Sequence, residues 1–174
     1  MIGQALDAGA HGVIVPQVNN ADDAAQAVSA ATYPPRGIRS YGPMRSQLRI
    51  GPAPAEADAS SVVLAMIETA EGLDNVEEIA AVPGVSGLYI GPSDLALALG
   101  ARTPSDPESA NRFTAALERI RTAADTHGLS VLIHTPDGET ARRRLTEEFG
   151  ATIASDLVHL EVAARDHLDV PIGD

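Results

Sequence analysis

The sequence predicts an α/β fold built on a parallel sheet. Three observations carry that expectation. Five apolar, β-branched runs of strand length alternate with stretches of helical spacing, the connections between successive runs are long, and the runs look apolar on both faces. Parallel neighbours need long crossovers that pack back on the sheet, and strands inside such sheets read as continuous apolar segments.

In chain order, residues 2–8 read as the end of a helix stopped by Gly9. Residues 12–18 are the first strand candidate and 22–31 its helix. Strand 62–67 then precedes helix 73–81, 87–90 precedes 109–127, 130–133 precedes 138–148, and 151–154 precedes 157–167. Two stretches interrupt the alternation and read as loops. Residues 33–59 carry Pro34, Pro35, Pro43, Pro52 and Pro54 with Gly37, Gly42 and Gly51, and residues 100–108 carry Pro104 and Pro107.

Two architectures fit this order, an open doubly wound sheet and a (β/α)8 barrel of TIM type. A complete barrel takes about 250 residues, or about 31 per βα unit. The 174 residues here hold five units, too few to close a barrel. If the architecture is a barrel, the chain is expected to be an incomplete single domain over residues 1–174, lacking the N-terminal units and beginning inside a helix.

Composition narrows the chemistry. The formal net charge is −12, a field that repels phosphate backbones, so no nucleic-acid partner is expected. There is no apolar run of membrane-spanning length and no basic leader, so the expected location is cytoplasmic, away from membranes. The absence of cysteine excludes thiolate zinc sites and cysteine nucleophiles. All 12 basic side chains are arginine, which removes lysine Schiff-base chemistry and the P-loop lysine.

In either architecture reactive groups gather where strands end and loops begin. Those positions are Pro16-Gln17, Glu68-Thr69, Gly91-Pro92-Ser93-Asp94, His134-Thr135 and Ser155-Asp156. Glu68 and Asp94 follow successive strands and could aim two hard oxygen ligands at one magnesium or manganese ion. The plain alternatives are a solvated loop acid for Glu68 and a helix N-cap for Asp94. Gly91-Pro92-Ser93 offers backbone N–H groups to a carboxylate or phosphate, or is a simple turn. Of the five histidines only His134 lies at the favoured end of a strand, although a lone loop histidine is more often structural. His127, beside Gly128, suits a helix C-terminus. Arg36, Arg39, Arg45 and Arg49 in the long loop fit an acidic substrate, a neighbouring subunit or plain solvation. Arg142, Arg143 and Arg144 fit a solvated helix face.

Four stretches together resemble the HpcH/HpaI aldolases, metal-dependent pyruvate aldolases related to the citrate lyase beta subunit. They are Leu6-Asp7-Ala8-Gly9-Ala10 leading into Gly12-Val13-Ile14-Val15-Pro16, then Tyr33-Pro34-Pro35-Arg36-Gly37-Ile38-Arg39, Ile67-Glu68-Thr69, and Ile90-Gly91-Pro92-Ser93-Asp94-Leu95. The resemblance implies a (β/α)8 barrel in which Glu68 and Asp94 hold magnesium, manganese or cobalt and pyruvate chelates that metal. It also implies that Gly91, Pro92 and Ser93 receive the pyruvate carboxylate. Asp7 matches the acid that pairs with a catalytic histidine from an earlier segment, a histidine this chain does not contain. The family's carboxylate-binding arginine is likewise absent. Met66 stands where members often carry glutamine, and residues 43–61 look shorter than usual.

The implied activity is reversible aldol cleavage of a 4-hydroxy-2-oxo acid to pyruvate and an aldehyde. Such cleavage passes through an enolate, and with no lysine the expected electrophile is a Lewis-acid metal. His134 is the candidate to touch substrate. The expected partners are small 2-oxo acids and aldehydes, with a homo-oligomer. Alternatives are a non-catalytic fragment or interaction subunit, and a citryl-CoA-type lyase.

Overall fold

The structure, a computed structural model, describes residues 1–42, 53–103, 106–153 and 156–168. Helix α1 (Ile2–Asp7) leads to β1 (Gly12–Val15) and α2 (Ala21–Ala31). After the long loop come α3 (Pro54–Ser60), β2 (Val62–Ile67), α4 (Ala70–Asp74), α5 (Val76–Ala80) and β3 (Gly87–Ile90). Then follow α6 (Pro92–Ala98), a 3-10 turn (Pro107–Ser109), α7 (Ala110–Thr126), β4 (Ser130–Thr135), α8 (Gly138–Thr146), β5 (Gly150–Ile153) and α9 (Asp156–Leu168).

All five strands are parallel and lie in sequence order, β1-β2-β3-β4-β5. The register separates two faces. Val63, Ala65, Ile67, Leu88, Ile90, Val131 and Ile133 share one face; all but Val63 are buried in a core with Leu73, Val76 and Ile79 from α4 and α5 and with Leu117, Ile120 and Ala124 from α7, and Val63 packs with Leu6, Ala27 and Ala31. The other face carries Ile14, Val62, Leu64, Met66, Tyr89, Leu132 and His134. There Ile14 and Val62 are 44% and 41% exposed, and Leu64, Met66, Leu132 and His134 are half-buried. A doubly wound sheet carries helices on both faces, whereas a barrel wall carries them outside only. Sequential parallel order with helices packed on one face is the wall of a (β/α)8-type barrel. The expectation that the strands are buried on both faces holds for one.

Local differences from the sequence reading have physical causes. The first strand stops at Val15, because Pro16 cannot donate to the ladder and Gln17 takes a left-handed φ of 53°. The helix expected over 73–81 begins at Ala70 and is split at Asn75, whose side-chain amide donates to the Asn19 carbonyl at 2.8 Å. Pro54 opens a helix inside the stretch read as loop, a position where its missing N–H costs nothing. Arg45 and Arg49 lie outside the described residues.

Candidate functional site

The carboxyl ends of β1, β2 and β3 are stitched together by short-range chemistry. Thr69 caps α4 by accepting from Gly72 N–H at 2.9 Å and also bonds the Asn19 side chain. A Cβ on Gly72 would stand 2.5 Å from the Val18 carbonyl oxygen, so only glycine lets the β1 loop close on α4. The left-handed Gln17 backbone aims its N–H at Glu68 Oε1, at 2.8 Å.

Glu68 is therefore fixed, and it is 7% exposed. It forms no ion pair among the described residues. A Cβ on Gly91 would lie 2.7 Å from its other oxygen, Oε2, and 2.6 Å from Met66 Cε. The bare backbone at Gly91 thus makes the space that the carboxylate and the methionine end occupy. A buried carboxylate with one backbone donor and no cation beside it is under-compensated.

Asp94 lies in the first turn of α6, where the helix dipole favours a negative charge. It is not the N-cap: Gly91 holds that place and no side chain caps the helix. The Asp94 side chain is exposed and its carboxylate makes no hydrogen bond or ion pair among the described residues, so its oxygens are free. Two oxygen-donor carboxylates without counter-charges, one buried and one open, suit a hard divalent cation completed by water and substrate. Among the described residues no cluster of three or more acidic or histidine side chains could hold a metal by itself.

The Gly91-Pro92-Ser93 turn is less generous with donors than its sequence suggests. Gly91 N–H is spent on the Ile67 carbonyl at 3.4 Å, and proline has none. The amides of Ser93 and Asp94, in the unsatisfied first turn, remain.

His134 sits on the open face in register with Thr152 of β5. Continuing the β2–β3 and β3–β4 registers by one residue puts Glu68, Gly91 and His134 in one transverse row. Gly91 contributes no side chain between them, and two strand spacings amount to about 10 Å. Tyr89, only 3% exposed, places its hydroxyl 3.3 Å from His134 Nδ1 and in a short hydrogen bond with Thr152 Oγ1. Sequence reasoning missed Tyr89 and Thr152. The available signal was a tyrosine in a strand expected to be fully buried, whose hydroxyl needs a partner.

Asp7 is not brought to this place. It ends α1, ahead of the amino end of β1, while Ile2 at the other end of α1 lines a depression with Val15, Pro16 and Gln17. Its carboxylate meets Arg39 NH2 at 2.9 Å. Arg39, expected in a substrate site, a subunit contact or solvent, is instead 3% exposed and stacked 4.7 Å from the Tyr33 ring centroid. Arg36 pairs with Asp58 at 2.8 Å, and Asp58 also accepts Tyr33 N–H. The Tyr33–Arg39 stretch therefore clamps the end of the sheet opposite Glu68.

The family model described as HpcH/HpaI aldolase/citrate lyase matches residues 1–161. The hydroxypyruvate/pyruvate aldolase of Rhizorhabdus wittichii is 46% identical over 162 residues, 92% of this chain and 64% of that protein. The 4-hydroxy-2-oxovalerate aldolase of Rhodococcus jostii is 41% identical, covering 83% of this chain and 56% of that protein. Among solved structures, an HpcH/HpaI aldolase/citrate lyase family protein from Burkholderia cenocepacia superposes with a TM-score of 0.79 at 32% identity, over 96% of this chain and 67% of that one. The chain spans less than two thirds of the length of these two curated relatives.

Proposed function

Because the chain belongs to the HpcH/HpaI aldolase/citrate lyase family, we propose that it forms the metal- and pyruvate-handling wall of a class II aldolase, a carbon–carbon lyase that cleaves or forms 4-hydroxy-2-oxo acids. The products of cleavage are pyruvate and an aldehyde. The observation that carries the reading is the buried Glu68 carboxylate turned to a bare Gly91, with the exposed Asp94 carboxylate three residues further on and no cationic side chain on either among the described residues.

Glu68 and Asp94 would hold magnesium, manganese or cobalt. A divalent cation there supplies positive charge against the negative charge that develops on a keto oxygen. Glu68 is kept in place by Gln17 N–H. Ser93 and Asp94 N–H groups receive the substrate carboxylate beside Gly91 and Pro92. Met66, at the position often held by glutamine, makes the flank of the site apolar and excludes water there. His134 faces the same row and touches substrate. On this reading Asp7 is structural, through Arg39, and takes no part in the reaction. The whole of residues 1–174 is treated as one partial barrel domain, working in the cytoplasm as a homo-oligomer. Among the described residues no helix is long and apolar enough to cross a membrane.

The test is pyruvate release from a 4-hydroxy-2-oxo acid in the presence of magnesium, manganese or cobalt. Glu68→Gln and Asp94→Asn are each expected to abolish metal-dependent release and to remove manganese binding measured by calorimetry. Full activity in either variant rejects the assignment.

The half-exposed sheet face and the edges at β1 and β5, unpaired among the described residues, favour a second, compatible reading as a piece that works only in association.

A further inference from the structure

Tyr89, His134 and Thr152 form a hydrogen-bonded polar chain on the sheet face that also carries Glu68. A phenol carries one proton, and here it has two partners, an imidazole nitrogen and a threonine hydroxyl. Tyr89 is 3% exposed, so its own proton must go to one of these two, and with a neutral imidazole two arrangements achieve that. In the first, Thr152 donates to the phenol oxygen, Tyr89 donates to Nδ1, and the imidazole proton sits on Nε2. Every proton then has an acceptor or an open side. In the second, Nδ1–H donates to the phenol oxygen and Tyr89 donates to Thr152, which leaves the threonine proton with no acceptor among the described residues. The first leaves water to satisfy a single group, the imidazole Nε2–H, whereas the second leaves it two, the threonine proton and the Nε2 lone pair, so the first arrangement wins.

Nε2 has no hydrogen-bond partner among the described residues and is not one of the fully buried, unpaired polar atoms, so it reaches solvent. It belongs to the row that contains Glu68, across the side-chain gap at Gly91. We propose that the Thr152–Tyr89 chain holds His134 as its neutral Nε2–H tautomer, so that His134 offers a hydrogen-bond donor, not a base, to an oxygen of the bound 2-oxo acid. Tyr89 and Thr152 are positioning residues. The substrate half of this inference rests on the site reading above, whereas the tautomer half stands on the trio alone.

The experiment has two arms on the full chain. In ring-labelled histidine, 15N shifts at neutral pH are expected to show an unprotonated Nδ1 and a protonated Nε2 for His134, and Tyr89→Phe is expected to mix the tautomers. A protonated Nδ1 in the wild type, or an unchanged tautomer in Tyr89→Phe, overturns the lock. In the second arm magnesium and pyruvate are titrated together. His134→Leu is expected to weaken pyruvate binding about tenfold, the value of one hydrogen bond to a charged group. His134→Gln, whose amide N–H stands near the Nε2 position, is expected to recover most of that loss. Equal behaviour of the two variants overturns the donor role. Failure of the wild type to bind pyruvate removes the site reading and the substrate contact together, and leaves the nitrogen shifts to decide the lock.

Discussion

Gly91 is where one atom decides most. A methyl group there would meet Met66 Cε at 2.6 Å, Glu68 Oε2 at 2.7 Å and Glu68 Cβ at 3.0 Å. The flexible methionine end can yield, but the Glu68 Cβ is held by the backbone just past the end of β2 and by the Gln17 N–H bond to its carboxylate. Gly91→Ala is therefore expected to cost about 1–3 kcal/mol of stability and to reduce manganese affinity at least about tenfold by displacing the carboxylate. Calorimetry beside urea unfolding separates the two effects. At the opposite end, Arg39 is buried on Asp7, with its Nε and NH1 unpaired among the described residues. Asp7→Ala strands that guanidinium and is expected to cost about 3–5 kcal/mol, whereas the pair Asp7→Leu with Arg39→Met costs far less. Manganese binding at Glu68 should be untouched in the double variant. A residue's chemical type was legible in the sequence at Glu68 and Asp94. Its place was not legible at Asp7 or Arg39, because nothing local says at which end of a strand a neighbouring helix delivers its last turn.

At the scale of single elements, side-chain caps fix where helices start. Asn20 accepts from Asp23 N–H at 2.9 Å while Asp23 accepts from Asn19 N–H at 3.0 Å, which closes the start of α2. Asn20→Ala is expected to lower stability by about 1 kcal/mol in urea titrations. The turn before α7 depends on Asp106, whose carboxyl is pulled down to about 2 by the Arg102 guanidinium and then by the backbone N–H groups of Arg102 and Glu108. A depressed folded-state value means stability that is fully present above the unfolded carboxyl range and lost as pH falls towards the folded value. The urea midpoint of the wild type should therefore exceed that of Asp106→Asn near neutrality, and the gap should narrow from about pH 4 downward. A gap constant down to about pH 3 would count against this role. The split between α4 and α5 had no local signal, since it depends on Asn75 reaching Asn19 56 residues away.

On the scale of the whole molecule, one sheet face is dry beneath helices and the other is open. Helix α9 lies exposed along its length, with Leu157, Leu160 and Val162 at 63%, 66% and 51% exposure. Apolar surface of this extent on a parallel sheet and its last helix favours association. Sedimentation velocity should show an assembly that Leu157→Glu with Leu160→Glu weakens, while the melting temperature of the remaining fold hardly moves. A wild-type monomer at all concentrations would remove the association reading. The alternation of strands and helices, the family, and the two acids at strand ends were all determined by the sequence alone, because periodicity, propensity and short motifs act over a few residues. Tertiary structure alone decided that the helices cover one face only, that Asp7 and Arg39 belong to the far end, and that Tyr89, His134 and Thr152 meet. The last of these depends on register between strands, Tyr89 facing Leu132 from 43 residues away and His134 facing Thr152 from 18, and register is set by packing across the sheet rather than by any neighbour along the chain.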